Sequence, residues 1–316
     1  VNPFLSIDLP AILAATLACL SCALVGNFLV LRRQSLMGDA ISHAVLPGIV
    51  AGFLVVGTRD TMPMLTGALV AALVAGFLIE LVRRVGRIEP GAAMGVVFTG
   101  LFALGVLLIE QGAAHAVDLD ADCVLYGQLE DILWFGPQGW GDLADPAIWL
   151  TLPREVWQLA AVFVLAALLI TLFFKELTIA SFDPALADLQ GINSALIQHG
   201  LVALTAACAI AAFEAVGSIL VIAMLICPAA TARMLTDRLG AQIRLSLLFG
   251  GAAGIGGYVL GAFGPGWLGF QNSVNAAGMI ATLAGAFLAL AILAAPRYGV
   301  LVRRRKTRPA DALPAA

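Results

Sequence analysis

Nine stretches of mostly apolar residues, roughly 10–31, 39–57, 63–82, 91–110, 157–175, 194–212, 214–231, 242–262 and 274–295, punctuate this sequence of 316 residues. Each approaches the about 20 residues that a helix needs to cross the hydrocarbon core of a bilayer. In lipid an unpaired backbone polar group costs several kcal/mol, so such segments become helices whose hydrogen bonds close within the segment. Composition agrees: 61% of residues are hydrophobic and 12% charged, against about 45–50% and about 25% in soluble domains. Mean hydropathy is +0.99. The expected fold is an all-α polytopic membrane bundle of eight or nine transmembrane helices. It forms one domain over 1–300, followed by a basic cytoplasmic tail over 301–316.

Lysine and arginine set the orientation, because they gather on the cytoplasmic side. With the N-terminus outside, the inside segments hold Arg32, Arg33, Arg83, Arg84, Arg87, Lys175, Arg233, Arg238, Arg244 and the tail from Arg297. That places 15 of the 17 basic residues inside and leaves Arg59 and Arg154 outside. The tail reads as an anchor to the membrane surface, and no tract suits nucleic acid. No basic region precedes the first apolar run, so no cleavable signal is expected. Two connections are short. The sixth and seventh spans meet at Ala212–Glu214, in a tight hairpin or a broken helix, and residues 32–39 give little room for a full cytoplasmic loop, so Gly38 offers a helix break inside the protein.

Residues 111–156 form the one large excursion, external and acidic. Trp134, Trp140, Trp149 and, at its end, Trp157 read as interfacial anchors, with an aromatic body in lipid and an N–H in water. Asp118, Asp120 and Asp122 are spaced like an EF-hand opening, but Cys123 occupies the glycine position and the closing glutamate is missing. With His115 they form a solvated acidic loop. Cys19 and Cys22 make a CxxC within a span, without partner ligands, and read as small-residue packing. The glycines at 91, 95, 100 and 105, and the GxxxG pair at 250, 254, 257 and 261, suit close helix approach.

Chemistry concentrates in SLMGDAISHAVLPG, residues 35–48. Asp39 and His43 are one helical turn apart on one face. Ionisable groups inside a membrane cost roughly 2.5–3.5 kcal/mol each, so they rarely stand there without a task. A carboxylate and an imidazole suit a borderline divalent metal such as Mn²⁺, Fe²⁺ or Zn²⁺. The bland alternative is an Asp–His hydrogen bond that fixes a helix end. Pro47 lacks the N–H that would pair with the His43 carbonyl and breaks the local ladder. Glu214, alone between apolar spans, is either a third metal ligand or an acid at the water interface of a hairpin. His199 reads as a packed interfacial histidine.

Three runs, LRRQSLMGDAISHAVLPGI (31–49), IASFDPALADLQGI (179–192) and AVGSILVIAMLICPAATARMLT (215–236), together resemble the permease subunits of bacterial ABC importers for manganese, zinc and iron. The resemblance implies a multi-pass protein of the bacterial plasma (inner) membrane that pairs with a second permease copy or a paralogue. It would receive metal from an extracytoplasmic metal-binding protein and couple to cytoplasmic ATP-binding subunits. It further implies that Asp39 and His43 coordinate the metal, and that 228–240, with Thr231, Arg233, Thr236 and Arg238, is the coupling helix. Asp183 before Pro184 is a helix-start signature, an acid at the N-cap with proline following.

The function expected is thus permeation of a divalent transition metal by alternating access, with no permanently bound cofactor. Neither Lys175 nor Lys306 follows a glycine, so the chain lacks a phosphate-binding loop and ATP must be hydrolysed elsewhere. HExxH and GxSxG are both missing, which argues against an intramembrane hydrolase. The alternative is a secondary metal transporter in which Asp39 and Glu214 carry protons.

Overall fold

The computed structural model describes residues 2–34, 36–56, 61–113, 129–137, 139–267, 269, 274–296 and 298–301. The external stretch with His115, the three aspartates and Cys123, and the tail from residue 302, lie outside the described residues.

All nine apolar segments fall on helices. The first is α1 (Leu9–Leu31), entered through a π-helical turn at Phe4–Asp8. The second is divided into α2 (Met37–Ala44) and α3 (Leu46–Val56). Then come α4 (Thr61–Gly86), α5 (Pro90–Leu108) and α6 (Arg154–Leu172). On the cytoplasmic side α6 leads into two short helices, α7 (Phe174–Phe182) and α8 (Pro184–Leu189). The last four spans are α9 (Ser194–Val216), α10 (Ser218–Leu235), α11 (Leu239–Ala262) and α12 (Ala276–Ala294). Among the described residues, 6 helices are long and apolar enough to cross a membrane unaided, and two shorter apolar helices accompany them.

Hydrogen bonds sort the helix ends into two faces. At one, Trp134 N–H donates to the Ser6 carbonyl at 2.8 Å. There too Tyr258 Oη donates to Asp8 at 2.9 Å, and Ala276 N–H to Glu130 at 3.3 Å. At the other, Arg32 Nε donates to Ser181 Oγ and Tyr298 Oη to Asp237, both at 3.0 Å. The first face gathers residues that the charge pattern leads one to expect outside, the second those it leads one to expect inside.

Helix α1 runs through the middle of the bundle, packed by α6, α9, α10 and α11. Its small residues make this possible: Ala11, Ala14, Ala15 and Ala18 are buried, and Cys19 and Cys22 are buried free thiols. The α11 glycines divide their work. A Cβ on Gly254 would sit 2.9 Å from Thr16 Cα of α1, and Gly257 and Gly261 press on Ile280 and Ala276 of α12. In α5 only Gly105 serves close approach, against Leu46; Gly91, Gly95 and Gly100 meet nothing within 4 Å, so the packing role expected of them is not realised within this chain.

A fully buried polar cluster also clasps α1 to α11. Asn27 Nδ2 donates to Ser246 Oγ at 2.6 Å and to the Ala23 carbonyl at 2.7 Å. Gln242 Nε2 donates to Asn27 Oδ1 at 3.1 Å.

Two expectations are corrected. Gly38 lies inside α2 and the break comes at Val45, whose carbonyl accepts from Gly48 and Ile49 at 3.0 Å. The ladder fails just before Pro47, as a proline without an N–H requires. Trp134 is no lipid anchor: it is 1% exposed, and its indole N–H donates to Thr151 Oγ1 at 2.9 Å. It is the pillar on which Trp149 leans, whereas Trp140 and Trp157 are exposed.

Candidate metal pathway and its cytoplasmic face

After α1 the chain turns back within five residues, with Arg33 at φ 56 and Met37 N–H donating to the Gln34 carbonyl at 2.9 Å. The turn delivers α2 into the bundle, among α4, α5, α9 and α10. Its depth is read from Leu225, midway along α10. A Cβ on Gly38 would lie 2.6 Å from Leu225 Cδ1, and one on Gly26 of α1 would collide with the Leu225 carbonyl oxygen. At a rise of 1.5 Å per residue, Leu225 is about 10 Å from the outer end of α10 and about 15 Å from the inner end. The helix carrying positions 39 and 43 therefore starts inside the bundle, level with the middle of α10.

The backbone of α2 sets Asp39 and His43 one turn apart; the Asp39 side chain lies outside the described residues. The His43 ring is half-buried against α5. It stacks on Phe98 (centroids 5.7 Å apart, planes at 28°) and meets Phe102 edge-on (5.3 Å, 80°). Two phenyl rings hold the imidazole plane.

Glu214 is two residues from the outer end of α9, so it belongs to a continuous helix and not to a loop. The chain reverses instead at Gly217, whose φ of 83° suits a residue without Cβ. With the Gln158 amide oriented to satisfy both neighbours, it donates to Glu214 Oε2 at 3.0 Å and accepts from Arg154 Nε at 3.2 Å. Glu214 and Gln158 line a cavity of about 290 Å³ between α4, α6 and α9. His43 contributes nothing to that cavity, and among the described residues no three His, Cys, Asp or Glu converge as a metal cage. Glu214 and His43 thus have separate surroundings. Sequence reasoning missed Gln158 and Arg154; the available signal was that Arg154 is one of only two basic residues outside. His199 is exposed, its Nδ1 2.6 Å from the Ala195 carbonyl of its own helix, and it joins no group of three His, Cys, Asp or Glu among the described residues.

On the cytoplasmic face, the expected separate helix over 228–240 is corrected. Residues 228–235 are the final turns of α10, with Pro228 inside the helix. Thr231 is 1% exposed and donates to the Cys227 carbonyl at 2.7 Å. Arg233 reaches the Asp237 carbonyl at 3.5 Å, and Thr236 Oγ1 accepts from the Arg238 N–H at 3.3 Å. Arg238 is exposed and Thr236 half-buried.

The protruding element is α8. Asp183 caps it by accepting from Leu186 N–H at 3.0 Å, with Pro184 following, as the sequence signature requires. Asp188 then accepts from Ser194 N–H and Oγ at 2.9 and 3.0 Å, which holds its carboxyl below the usual carboxylate range. Phe182, Leu186 and Leu189 are 57%, 44% and 86% exposed.

Comparison with known proteins follows this geometry. The family model described as the ABC 3 transport family matches residues 6–133 and 148–295. The manganese transport system membrane protein MntD of Bacillus subtilis is 39% identical over 297 residues, covering 94% of this chain and 95% of that protein. The zinc transport system membrane protein TroD of Treponema pallidum is 38% identical over 292 residues, covering 92% and 75%. Among solved structures, PsaBC from Streptococcus pneumoniae in complex with Fab superposes with a TM-score of 0.71 at 31% identity, covering 93% of this chain and 94% of that one.

Proposed function

The chain belongs to the ABC 3 transport family, and from that premise we propose that it is the permease subunit of an ATP-driven importer whose cargo is Mn²⁺ or Zn²⁺. It is a multi-pass membrane transport subunit, and ATP is hydrolysed by a separate subunit. The alternative of a gradient-driven secondary transporter is set aside by the family. The cargo rests on relatives that carry manganese and zinc in their names, and on a donor pair of matching chemistry.

The observation that carries the reading is α2 itself. A short helix with a carboxylate and an imidazole one turn apart is packed inside a bundle of apolar helices, where such groups are costly unless they serve a passing ion. Asp39 and His43 bind the cation in transit. Glu214 handles it nearer the outer mouth, after delivery by an extracytoplasmic metal-binding protein. The aromatic wall of Phe98 and Phe102 keeps the imidazole facing one way, so the gate presents the same ligand in each cycle.

The ATP-binding subunits dock on the inner face, where α8 offers exposed Leu186 and Leu189, and Arg233 and Arg238 add positive charge. Thr231 and Thr236 act from behind, stiffening the end of α10. A second permease copy or paralogue completes the pore.

The test is reconstitution with the ATPase subunits and binding protein in proteoliposomes, measuring uptake and ATP hydrolysis with Mn²⁺, Zn²⁺ and Fe²⁺ in turn. One of the first two should drive both activities. Uptake without ATP, or hydrolysis indifferent to all three metals, would overturn the assignment.

A further inference from the structure

Arg154 and Gln158 stand one turn apart on the first two turns of α6, so their relay to Glu214 is built on a single helix face. An arginine placed directly on a carboxylate would take both oxygens in a fork. The interposed amide instead occupies one lone pair of one oxygen, out of roughly four acceptor positions on the group. The remaining capacity lies along the cavity, whose other walls are Leu69, Ala161, Val162, Ala207, Ile210 and Ala211. At roughly 30 Å³ per water, about 290 Å³ holds roughly nine waters, or a divalent cation with part of its hydration shell. In so apolar a chamber Glu214 and Gln158 are the polar contacts available. Glu155, beside Arg154, is the other charged group whose field reaches the carboxylate.

We propose that Gln158 and Arg154 are positioning residues for Glu214: they hold its carboxylate against the cavity and lend it a counter-charge that an entering divalent cation displaces. This rests on the reading of Glu214 as a metal-handling group. Between cations the relay sets the positive field of Arg154 against that of Glu155, whose charge repels the carboxylate. When a cation arrives, it takes the acceptor positions that face the cavity while the amide keeps its bond to Oε2, and Arg154, which is exposed, turns to water. A direct ion pair would have to be broken outright; the relay makes the exchange cheap and therefore fast.

The experiment measures initial uptake of Mn²⁺ and Zn²⁺ by the complete transporter in proteoliposomes, with assembly checked by copurification of the ATPase subunits. Glu214→Gln, Gln158→Leu, Arg154→Gln, Arg154→Lys and the Glu214→Gln/Gln158→Leu double variant are compared. Gln158→Leu should lower uptake about tenfold, the size expected for loss of a hydrogen bond to a charged group. Arg154→Gln should lower it likewise, and Arg154→Lys should retain most of it. The double variant should be no worse than Glu214→Gln, because Gln158 acts only through Glu214. If Glu214→Gln transports normally, the underlying reading of Glu214 fails, and the relay with it. If Glu214→Gln is defective while Gln158→Leu and Arg154→Gln are normal, or if the losses multiply in the double variant, the relay alone is refuted. Should Gln158→Leu fail to assemble, the exposed Arg154 pair decides the matter in the same way.

Discussion

Leu225 is wedged between two glycines through different atoms, and the difference can be exploited. At Gly38 the conflict would be with its Cδ1, at 2.6 Å, and at Gly26 with its own carbonyl oxygen. Carbon atoms pack at about 3.5–4.0 Å, so Gly38→Ala requires about 1 Å of extra separation. Leu225 is 0% exposed, so its side chain must turn among packed neighbours and not into solvent. The strain therefore falls partly on α2, at an overpacking cost of about 1–3 kcal/mol, and moves positions 39 and 43 away from α10. A misplacement of about 1 Å lowers the rate of a positioned constellation by up to about 10²-fold. Leu225→Val removes the offending methyl for about 0.5–1.5 kcal/mol, so Gly38→Ala/Leu225→Val should recover most uptake. Gly26→Ala opposes backbone, and Leu225→Val should not rescue it. The assay is metal uptake in proteoliposomes beside thermal unfolding of each purified variant in detergent. Normal uptake by Gly38→Ala, or an equal response of the two glycine variants to Leu225→Val, would refute this account of how α2 is seated.

Asn27→Ala should destabilise the protein by about 1–3 kcal/mol, since interhelical hydrogen bonds in membranes contribute about 0.6 and at most about 1.7 each and two are lost; Asn27→Leu/Gln242→Leu, which removes both sides of one pair, should cost less than Asn27→Ala in a detergent denaturation series. On the cytoplasmic face, in a background without native cysteines, Leu189→Cys should react quickly with an impermeant thiol reagent in inside-out vesicles and be protected by the ATPase subunits, whereas Thr231→Cys should stay unreactive; rapid labelling at 231 would restore a free coupling helix there. Trp134→Phe should loosen the external cap through loss of the Thr151 hydrogen bond, seen as faster proteolysis of 129–153 from outside, while Trp140→Phe should leave proteolysis unchanged.

The spans were legible because bilayer thickness constrains them before any tertiary contact forms. The break near Pro47 was equally readable, since a missing N–H is a local fact; placing it at Gly38 overrated a glycine that is there to admit Leu225. Tertiary context decided the remainder. Apolarity alone cannot tell a buried tryptophan from a lipid-facing one, and Trp134 found a partner in Thr151 that no spacing rule encodes. The run after Pro228 read as a coupling helix of its own, yet α10 continues through that proline to Leu235. Exposed Leu186 and Leu189 read as ordinary helix positions until the fold left them uncovered. Asp39 and His43 stood out in sequence because their cost in lipid demands a purpose, whereas Gln158 was invisible: an uncharged amide carries no such signal until it is seen beside Glu214.

The central claim is that the α2 pair carries the metal, and its most direct test is uptake by Asp39→Ala and His43→Ala in the reconstituted transporter. Insertion is scored by protease protection, and assembly by retention of the ATPase subunits. Both variants should insert and assemble as the wild type does, bind ATPase subunits normally, and transport neither Mn²⁺ nor Zn²⁺. Wild-type uptake by either correctly assembled variant would contradict the claim and move the cation path away from α2.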